Sequence, residues 1–255
     1  MGNGPQSLSL TQWHERYRQQ GKWSETIRDS LFKKAQINEG HKILEVGSGT
    51  GAILELLSEK GYKFLAGVDI DYHGLVFSKR NNNPHFSVQG DGFHLPFKTR
   101  SFDVSFCQYL LLWVKNPAHI LSEMCRVTKP SGCVIALAEP DHEARVDFPP
   151  PLDHLGITQT LALQDQGVDI QMGRKLRGLF HDVGLLDVQS GILGAQWSSP
   201  DTKDPTEWQM LKWDLDGVLG EDEFSKYKQL NHQAWIEGKR VLFVPTFYAI
   251  GKTPG

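Results

Sequence analysis

The segment Ile43-Leu-Glu-Val-Gly-Ser-Gly-Thr-Gly51 constrains this chain more than any other stretch: an apolar run meets three alternate glycines, and an amphipathic stretch starts at Ala52. Glycine at 47, 49 and 51 lets the backbone turn tightly and lets a ligand come close to it. A helix opening at Ala52 offers unpaired amides at its N-terminus. The segment therefore reads as strand, ligand-contacting turn and helix in succession.

The same logic repeats downstream. From His41 onward, short apolar runs alternate with amphipathic stretches, predicting strands over 42–46, 64–69, 85–89, 102–106, 133–137, 186–193 and 241–250. Helices are expected near 52–60, 75–81, 118–126 and 174–183. Seven strands interleaved with helices form an α/β sheet with helices on both faces. Ahead of it, Trp13, Tyr17, Trp23, Ile27, Leu31 and Phe32 have spacings that suit one or two amphipathic helices, with Gly21 as the expected break. Residues 139–172 and 195–240 interrupt the alternation and exceed ordinary connections. Both are expected to cover the ligand end of the sheet. The 255 residues suit a single domain: a helical cover over 1–40, a first half over 41–138, and a second half over 139–255 carrying both insertions.

Several function classes are disfavoured. The longest apolar runs, 109–114 and 241–244, fall far short of the roughly 20 residues needed to span a bilayer. Residues 1–11 lack a basic start and an apolar stretch, so no secretory signal is expected and a cytoplasmic location is. Cys107, Cys125 and Cys133 read as small buried hydrophobes rather than a disulfide or zinc framework. The 10 histidines are scattered without metal-ligand spacing, so no metal is expected. A net charge of −3 supplies no broad basic field, and nucleic acid is not an expected partner.

The glycine loop by itself fits two templates. Gly47-x-Gly49-x-x-Ala52 also satisfies the dinucleotide fingerprint, with Asp69 at about the 20-residue distance of a ribose-binding acid. Three acids bear on the choice. Glu45 lies inside the strand, where a carboxylate suits a cationic or hydrogen-bond-donating ligand and not a pyrophosphate. Asp69 ends the second strand in Gly67-Val-Asp-Ile-Asp71, and Asp91 follows the third in Gln89-Gly-Asp-Gly-Phe-His-Leu-Pro-Phe97. Each has a structural alternative: pairing with Lys42 for Glu45, a helix cap for Asp69, an Asx turn for Asp91.

Taken in order, these residues resemble class I S-adenosylmethionine-dependent methyltransferases, of the subgroup that includes ubiquinone and menaquinone biosynthesis enzymes and many small-molecule methyltransferases. The resemblance runs from Lys42 to Leu137 and continues through Leu95-Pro-Phe97, Ser101-Phe-Asp-Val-Ser105, Asn116-Pro117 and Arg126-Val-Thr-Lys-Pro130. The family's Lys-Pro-Gly-Gly turn reads Lys129-Pro-Ser-Gly132 here, which predicts a changed turn and an intact fifth strand. The resemblance implies a Rossmann-like, mostly parallel sheet whose last strand is antiparallel, with the cofactor in residues 41–138. It implies that Glu45, Gly47, Ser48, Gly49 and Gly51 cradle the methionine part of S-adenosylmethionine, and that Asp69 holds the ribose. Asp91 and Gly92 would take the adenine between Ile70 and Phe93, and Gln108 would face the cofactor. The product would be S-adenosylhomocysteine.

The acceptor side is less specific. Tyr109 and Trp113 are four apart, so on a helical turn they would share a face, as an aromatic wall for a substrate or as plain core. Glu139, Asp141, His142 and Arg145 leave the fifth strand as a charged cluster of the kind a substrate clamp needs; His142 and Tyr109 are the candidates for a general base. Asp169 is expected near a helix cap, and Trp197, Trp208, Trp213 and Trp235 as pocket lining or lid anchors. No Asn-or-Asp-Pro-Pro-aromatic motif and no basic tail occurs, which favours a small-molecule acceptor methylated on O, N or C. The alternatives are a non-catalytic S-adenosylmethionine-binding regulatory protein and an NAD-dependent oxidoreductase.

Overall fold

The computed structural model describes residues 9–81, 85–194, 208, 211, 212 and 214–255. Helices α1 (Leu10–Trp23) and α2 (Glu25–Lys34) precede β1 (Lys42–Val46), α3 (Ala52–Glu59), β2 (Phe64–Asp69), α4 (Tyr72–Arg80) and β3 (Phe86–Gln89). There follow β4 (Phe102–Cys107), α5 (Pro117–Val127) and β5 (Thr128–Pro140). The remaining elements are β6 (Val146–Phe148), α6 (Leu152–Asp165), α7 (Met172–Asp182), β7 (Leu186–Ile192), α8 (Glu221–Ile236), β8 (Val241–Phe243) and β9 (Thr246–Lys252).

Seven strands pair in the order β3-β2-β1-β4-β5-β9-β7. The first five run parallel, and β9 is antiparallel to both of its neighbours. Alternation along the strands divides the core: Leu44, Val46, Val134 and Ala136 pack on one face with Met124 of α5 and Phe180 of α7. Ile43, Phe106, Ile135 and Leu137 pack on the other with Phe32 of α2 and Leu54 of α3. Period-2 side-chain alternation thus buries both faces, as the helical layers require. The strand order reverses between β1 and β4, so their carboxyl ends open a crevice, the usual ligand position in such sheets.

Local chemistry explains the boundaries. Asp71 caps α4 by accepting from the His73 and Gly74 amides, which starts that helix a turn earlier than its apolar pattern predicts. Asn116 caps α5, with Pro117 at the first helical position. The fifth strand is intact and longer than expected, and the positive φ of its Lys129-Pro-Ser-Gly132 stretch falls on Ser131 at 60°. Gly132 approaches the Asp103 carbonyl so closely that a Cβ there would lie 2.7 Å from it.

Two expectations are corrected. Gly21 does not break the N-terminal helices; the break is at Ser24, and Gly21 is buried inside α1 against α3. A Cβ at Gly21 would lie 2.5 Å from Ile53 Cδ1 and 2.7 Å from Leu56 Cδ1, so the glycine buys close approach of two helices. The 241–250 strand is two: Val244-Pro245 separates β8, which pairs with β6 in a ribbon of its own, from β9 in the main sheet. The insertions are also structured together, since Leu152 and Leu155 of α6 share a small third core with Leu211, Leu215 and Ala234. Trp208 meets Phe224 edge-on at 5.5 Å in that core, which makes it an anchor; Trp197 and Trp213 lie outside the described residues.

Candidate active site

The glycine loop leaves β1 at the crevice with φ of 79°, 50° and 76° at Gly47, Gly49 and Gly51, a conformation that a Cβ disfavours. Its fold is held from β2: the Gly47 and Ser48 amides donate to the Val68 carbonyl at 2.9 and 3.1 Å. Asp69 completes the bracket, its Oδ2 accepting from the Gly49 amide at 2.7 Å and its Oδ1 from the Asp71 amide at 2.8 Å. Burial raises the Asp69 carboxyl above its ordinary range, against these backbone donors, which lower it.

Glu45 is 2% exposed, and its Oε2 has no hydrogen-bond partner among the described residues. Burial, then the nearby Asp69 charge, pushes its carboxyl well above the usual range, while Arg28 opposes them. Ser48 has a buried, unpartnered Oγ of its own, turned toward Gly67. Asp91 is exposed beyond β3 and accepts from the Phe93 amide at 2.9 Å, an Asx turn that fixes its orientation. Next to it stand Gly92, the 57% exposed Ile70, and Phe93, whose ring meets His119 edge-on at 5.4 Å. Buried Gln108 is tied to the N-terminal cover, accepting from the Ser24 hydroxyl at 2.9 Å.

After β4, Tyr109 takes a left-handed φ of 52° and its amide donates to the Ala138 carbonyl at 3.0 Å. Leu111–Trp113 then form a single 3-10 turn. Residues four apart do not align on such a turn, so Tyr109 and Trp113 do not share the helical face expected of them: Tyr109 is half-buried and Trp113 52% exposed. Burial pushes the Tyr109 hydroxyl up to about 12, with the Arg16 charge opposing and Glu139 assisting.

The cluster at the end of β5 is also used differently from a solvated loop. Glu139 is fully buried and caps the 3-10 turn, accepting from the Leu110, Leu111 and Leu112 amides at 3.0, 3.1 and 3.1 Å. Burial lifts it to about 7 in spite of those three donors. Asp141, 1% exposed, is held by both Arg174 and the Ala144 amide, and Arg145 by Asp147 and Gln159. His142 keeps a buried, unpartnered Nδ1, and burial, together with the Arg145 charge, lowers it to about 4. It is therefore a neutral imidazole at physiological pH. Asp169 accepts from the Gln171 amide at 3.0 Å just ahead of α7.

Sequence reasoning missed the helix α1 contribution. Tyr17 lies over the glycine loop, its ring 3.5 Å from where a Gly49 Cβ would stand, and burial with the charges of Asp69 and Asp71 raises its hydroxyl to about 12. The helix is fastened there by His14 to Thr50 at 3.0 Å and Glu55 at 2.9 Å, and by Arg18 to Glu55 at 2.7 Å. Only the amphipathic spacing marked Tyr17, and that spacing cannot say which neighbour a helix meets.

Residues 44–136 match the family profile described as a methyltransferase domain. This part of the chain is similar to methyltransferase domains. A demethylmenaquinone methyltransferase of Paenarthrobacter aurescens (strain TC1) is 33% identical over 121 residues, covering 48% of this chain and 46% of that protein. A malonyl-[acyl-carrier protein] O-methyltransferase of Marinomonas sp. (strain MWYL1) is 28% identical over 118 residues, 44% of this chain and 43% of that one. The chain thus spans less than half the length of these curated relatives. Among solved structures, a phosphoethanolamine N-methyltransferase 2 of Haemonchus contortus, in complex with phosphomonomethylethanolamine and S-adenosylhomocysteine, superposes with a TM-score of 0.55 at 14% identity. That overlap covers 88% of this chain and 52% of the other and carries the likeness of fold. Among the described residues, no group of acids, histidines and cysteines could hold a metal ion, and no helix is long and apolar enough to cross a membrane.

Proposed function

We propose that this protein is an S-adenosylmethionine-dependent methyltransferase acting on a small molecule. One observation carries the reading: acceptor carboxylates belong to three adjacent strands around the glycine loop, Glu45 in β1, Asp69 at the end of β2 and Asp91 beyond β3. S-adenosylmethionine presents donors of matching kind in its ammonium, ribose hydroxyls and adenine amino group, and it lacks a pyrophosphate, which would gain nothing from Glu45. The chemistry it supplies is a methyl group on a sulfonium, open to in-line attack by an O, N or C nucleophile.

The residues of this chain bind and orient. The glycine loop, Asp69 and Tyr17 enclose the methionine and ribose parts, and Asp91 with Ile70 and Phe93 takes the adenine. Gln108 and Tyr109 follow β4 at its carboxyl end, and the acceptor would enter over the carboxyl ends of β4 and β5. Much of the rate would come from proximity and orientation. His142 is neutral and so has a free nitrogen lone pair, but its lowered basicity suits it to hold the acceptor by a hydrogen bond more than to take its proton.

Incubation of the protein with methyl-labelled S-adenosylmethionine and a panel of small hydroxyl, amine and activated-carbon acceptors tests the activity. Label transfer to a panel member, with release of S-adenosylhomocysteine, is expected. Tight cofactor binding without transfer to any acceptor class would favour a regulatory protein.

A further inference from the structure

Helix α2 carries a buried arginine that its own neighbours do not satisfy. Arg28 is 0% exposed, and its Nη1 donates to the Gly21 carbonyl at 3.1 Å. Its Nε and Nη2 are buried with no hydrogen-bond partner among the described residues. Those two nitrogens form one edge of the planar guanidinium, the edge that can receive both oxygens of a carboxylate. The chain uses this edge for that purpose elsewhere: Arg126 holds Glu123 through Nε at 2.6 Å and Nη2 at 2.8 Å. Arg174 and Arg145 hold Asp141 and Asp147 through the same pair of nitrogens. The acids beside Arg28 on α2, Glu25 and Asp29, are paired instead with Lys60.

The position of Arg28 is set by its neighbours one turn away. Ser24, Arg28 and Phe32 are four residues apart, share one face of α2 and are all buried. Phe32 shares a core with Ile43 of β1 and Phe106 of β4. The Ser24 hydroxyl lies 2.9 Å from Gln108 Oε1, just beyond β4, and 3.1 Å from the Gly21 carbonyl that Arg28 binds. Arg28 therefore faces the sheet between these two contacts. Glu45 lies on that face as well, two residues after Ile43 and in register with Phe106. It is 2% exposed, with its Oε2 unpartnered among the described residues. A buried cation and a buried anion thus face one polar cluster, and no hydrogen bond joins those atoms. Leaving either charge uncompensated in the interior is costly. Water would satisfy the donors without offsetting the charge, whereas a ligand bearing an ammonium and a carboxylate on one carbon offsets both.

We propose that Arg28 is a specificity-determining residue that binds the carboxylate of the cofactor's amino-acid end, beside the ammonium at Glu45, so that the pocket reads a zwitterion. The proposal rests on the methyltransferase reading and reaches outside residues 44–136, where the likeness to methyltransferase domains lies. Burial lowers the Arg28 guanidinium from its ordinary value, opposed by the charges of Asp29, Glu25 and Glu45. A carboxylate on one edge and the Gly21 carbonyl at Nη1 fix the guanidinium between the ligand and α1, the helix that carries Tyr17. Free amino acids carry the same zwitterion, so the ligand panel separates the two sources.

The test is a calorimetric titration of the full chain with S-adenosylhomocysteine, its decarboxylated analogue S-adenosyl-3-thiopropylamine, and methionine. The first two differ only in the carboxylate. S-adenosylhomocysteine is expected to bind at least about tenfold more tightly than the analogue, the worth of hydrogen bonds to a charged group. Arg28→Met is expected to lose about tenfold or more for S-adenosylhomocysteine and little for the analogue, which erases the preference. Its thermal midpoint without ligand should stay level or rise, because an uncompensated buried charge has gone. Arg28→Lys, which keeps the charge without the paired nitrogens, should fall between the two. The retained analogue affinity certifies the fold of each variant, and the wild-type comparison needs no variant. Equal wild-type affinity for S-adenosylhomocysteine and the analogue overturns this proposal alone. So does Arg28→Met that keeps the wild-type preference or weakens both ligands equally, and so does methionine binding as tightly as S-adenosylhomocysteine. Failure of both adenosyl ligands to bind overturns this proposal and the methyltransferase reading together.

Discussion

Asp69 Oδ2 accepts a hydrogen bond from the Gly49 amide at 2.7 Å, so the acid at the end of β2 sets the shape of the glycine loop beyond β1. The same carboxylate is the one that would meet the ribose, which makes loop order and ligand contact depend on one side chain. Asp69→Ala should therefore weaken S-adenosylhomocysteine binding by roughly 10- to 100-fold, the loss of charge-assisted hydrogen bonds. Calorimetry gives the affinity, and the thermal midpoint should fall as well, because two amides lose their acceptor. An alanine variant with wild-type affinity would remove Asp69 from the site.

Tyr17 covers Gly49 with its ring, and burial raises its hydroxyl to about 12, so it stays protonated across the physiological range. Tyr17→Ala should open the cofactor pocket and reduce S-adenosylhomocysteine affinity about tenfold, whereas Tyr17→Phe, which keeps the ring, should lose less. Equal losses in the two variants would assign the effect to the hydroxyl instead.

Gly21 belongs to a helix contact with no spare volume. Gly21→Leu should destabilise the fold by about 1–3 kcal/mol through overpacking against Ile53 and Leu56, read as a lower denaturant midpoint with an unchanged slope.

Glu139 links stability to pH. Its folded value of about 7 lies above the ordinary carboxylate range, so its contribution is complete below the unfolded value and is lost as pH rises through about 7. The stability advantage of the wild type over Glu139→Gln should be largest near pH 5 and shrink toward pH 8 in a series of thermal melts. Glutamine also presents an N–H toward one of the three backbone donors, so the variant should be less stable by about 1–3 kcal/mol. An advantage that grew with pH would contradict the sign.

The sheet and the glycine loop at its crevice were legible because their signals are local. Strand alternation, the Gly47-Gly49-Gly51 spacing and the acids at 45, 69 and 91 all lie within one continuous stretch, and each marks a backbone conformation or a strand end. The acceptor half depends on contacts between distant segments. Glu139 reads as a charged loop residue until Leu110, Leu111 and Leu112 turn their amides onto it. Helix α6 carries apolar residues around its circumference, with Leu155 buried and Ile157 59% exposed, so no periodic stripe announces it. Gly21 looks like a helix breaker in sequence because nothing local shows that α3 presses against it.

The most direct measurement is a calorimetric titration of the purified protein with S-adenosylmethionine, S-adenosylhomocysteine and NAD, repeated on Asp69→Ala. The account predicts tight binding of both adenosyl ligands, weakened in the variant, and no comparable binding of NAD; binding of NAD alone would contradict it and return the glycine loop to the dinucleotide template.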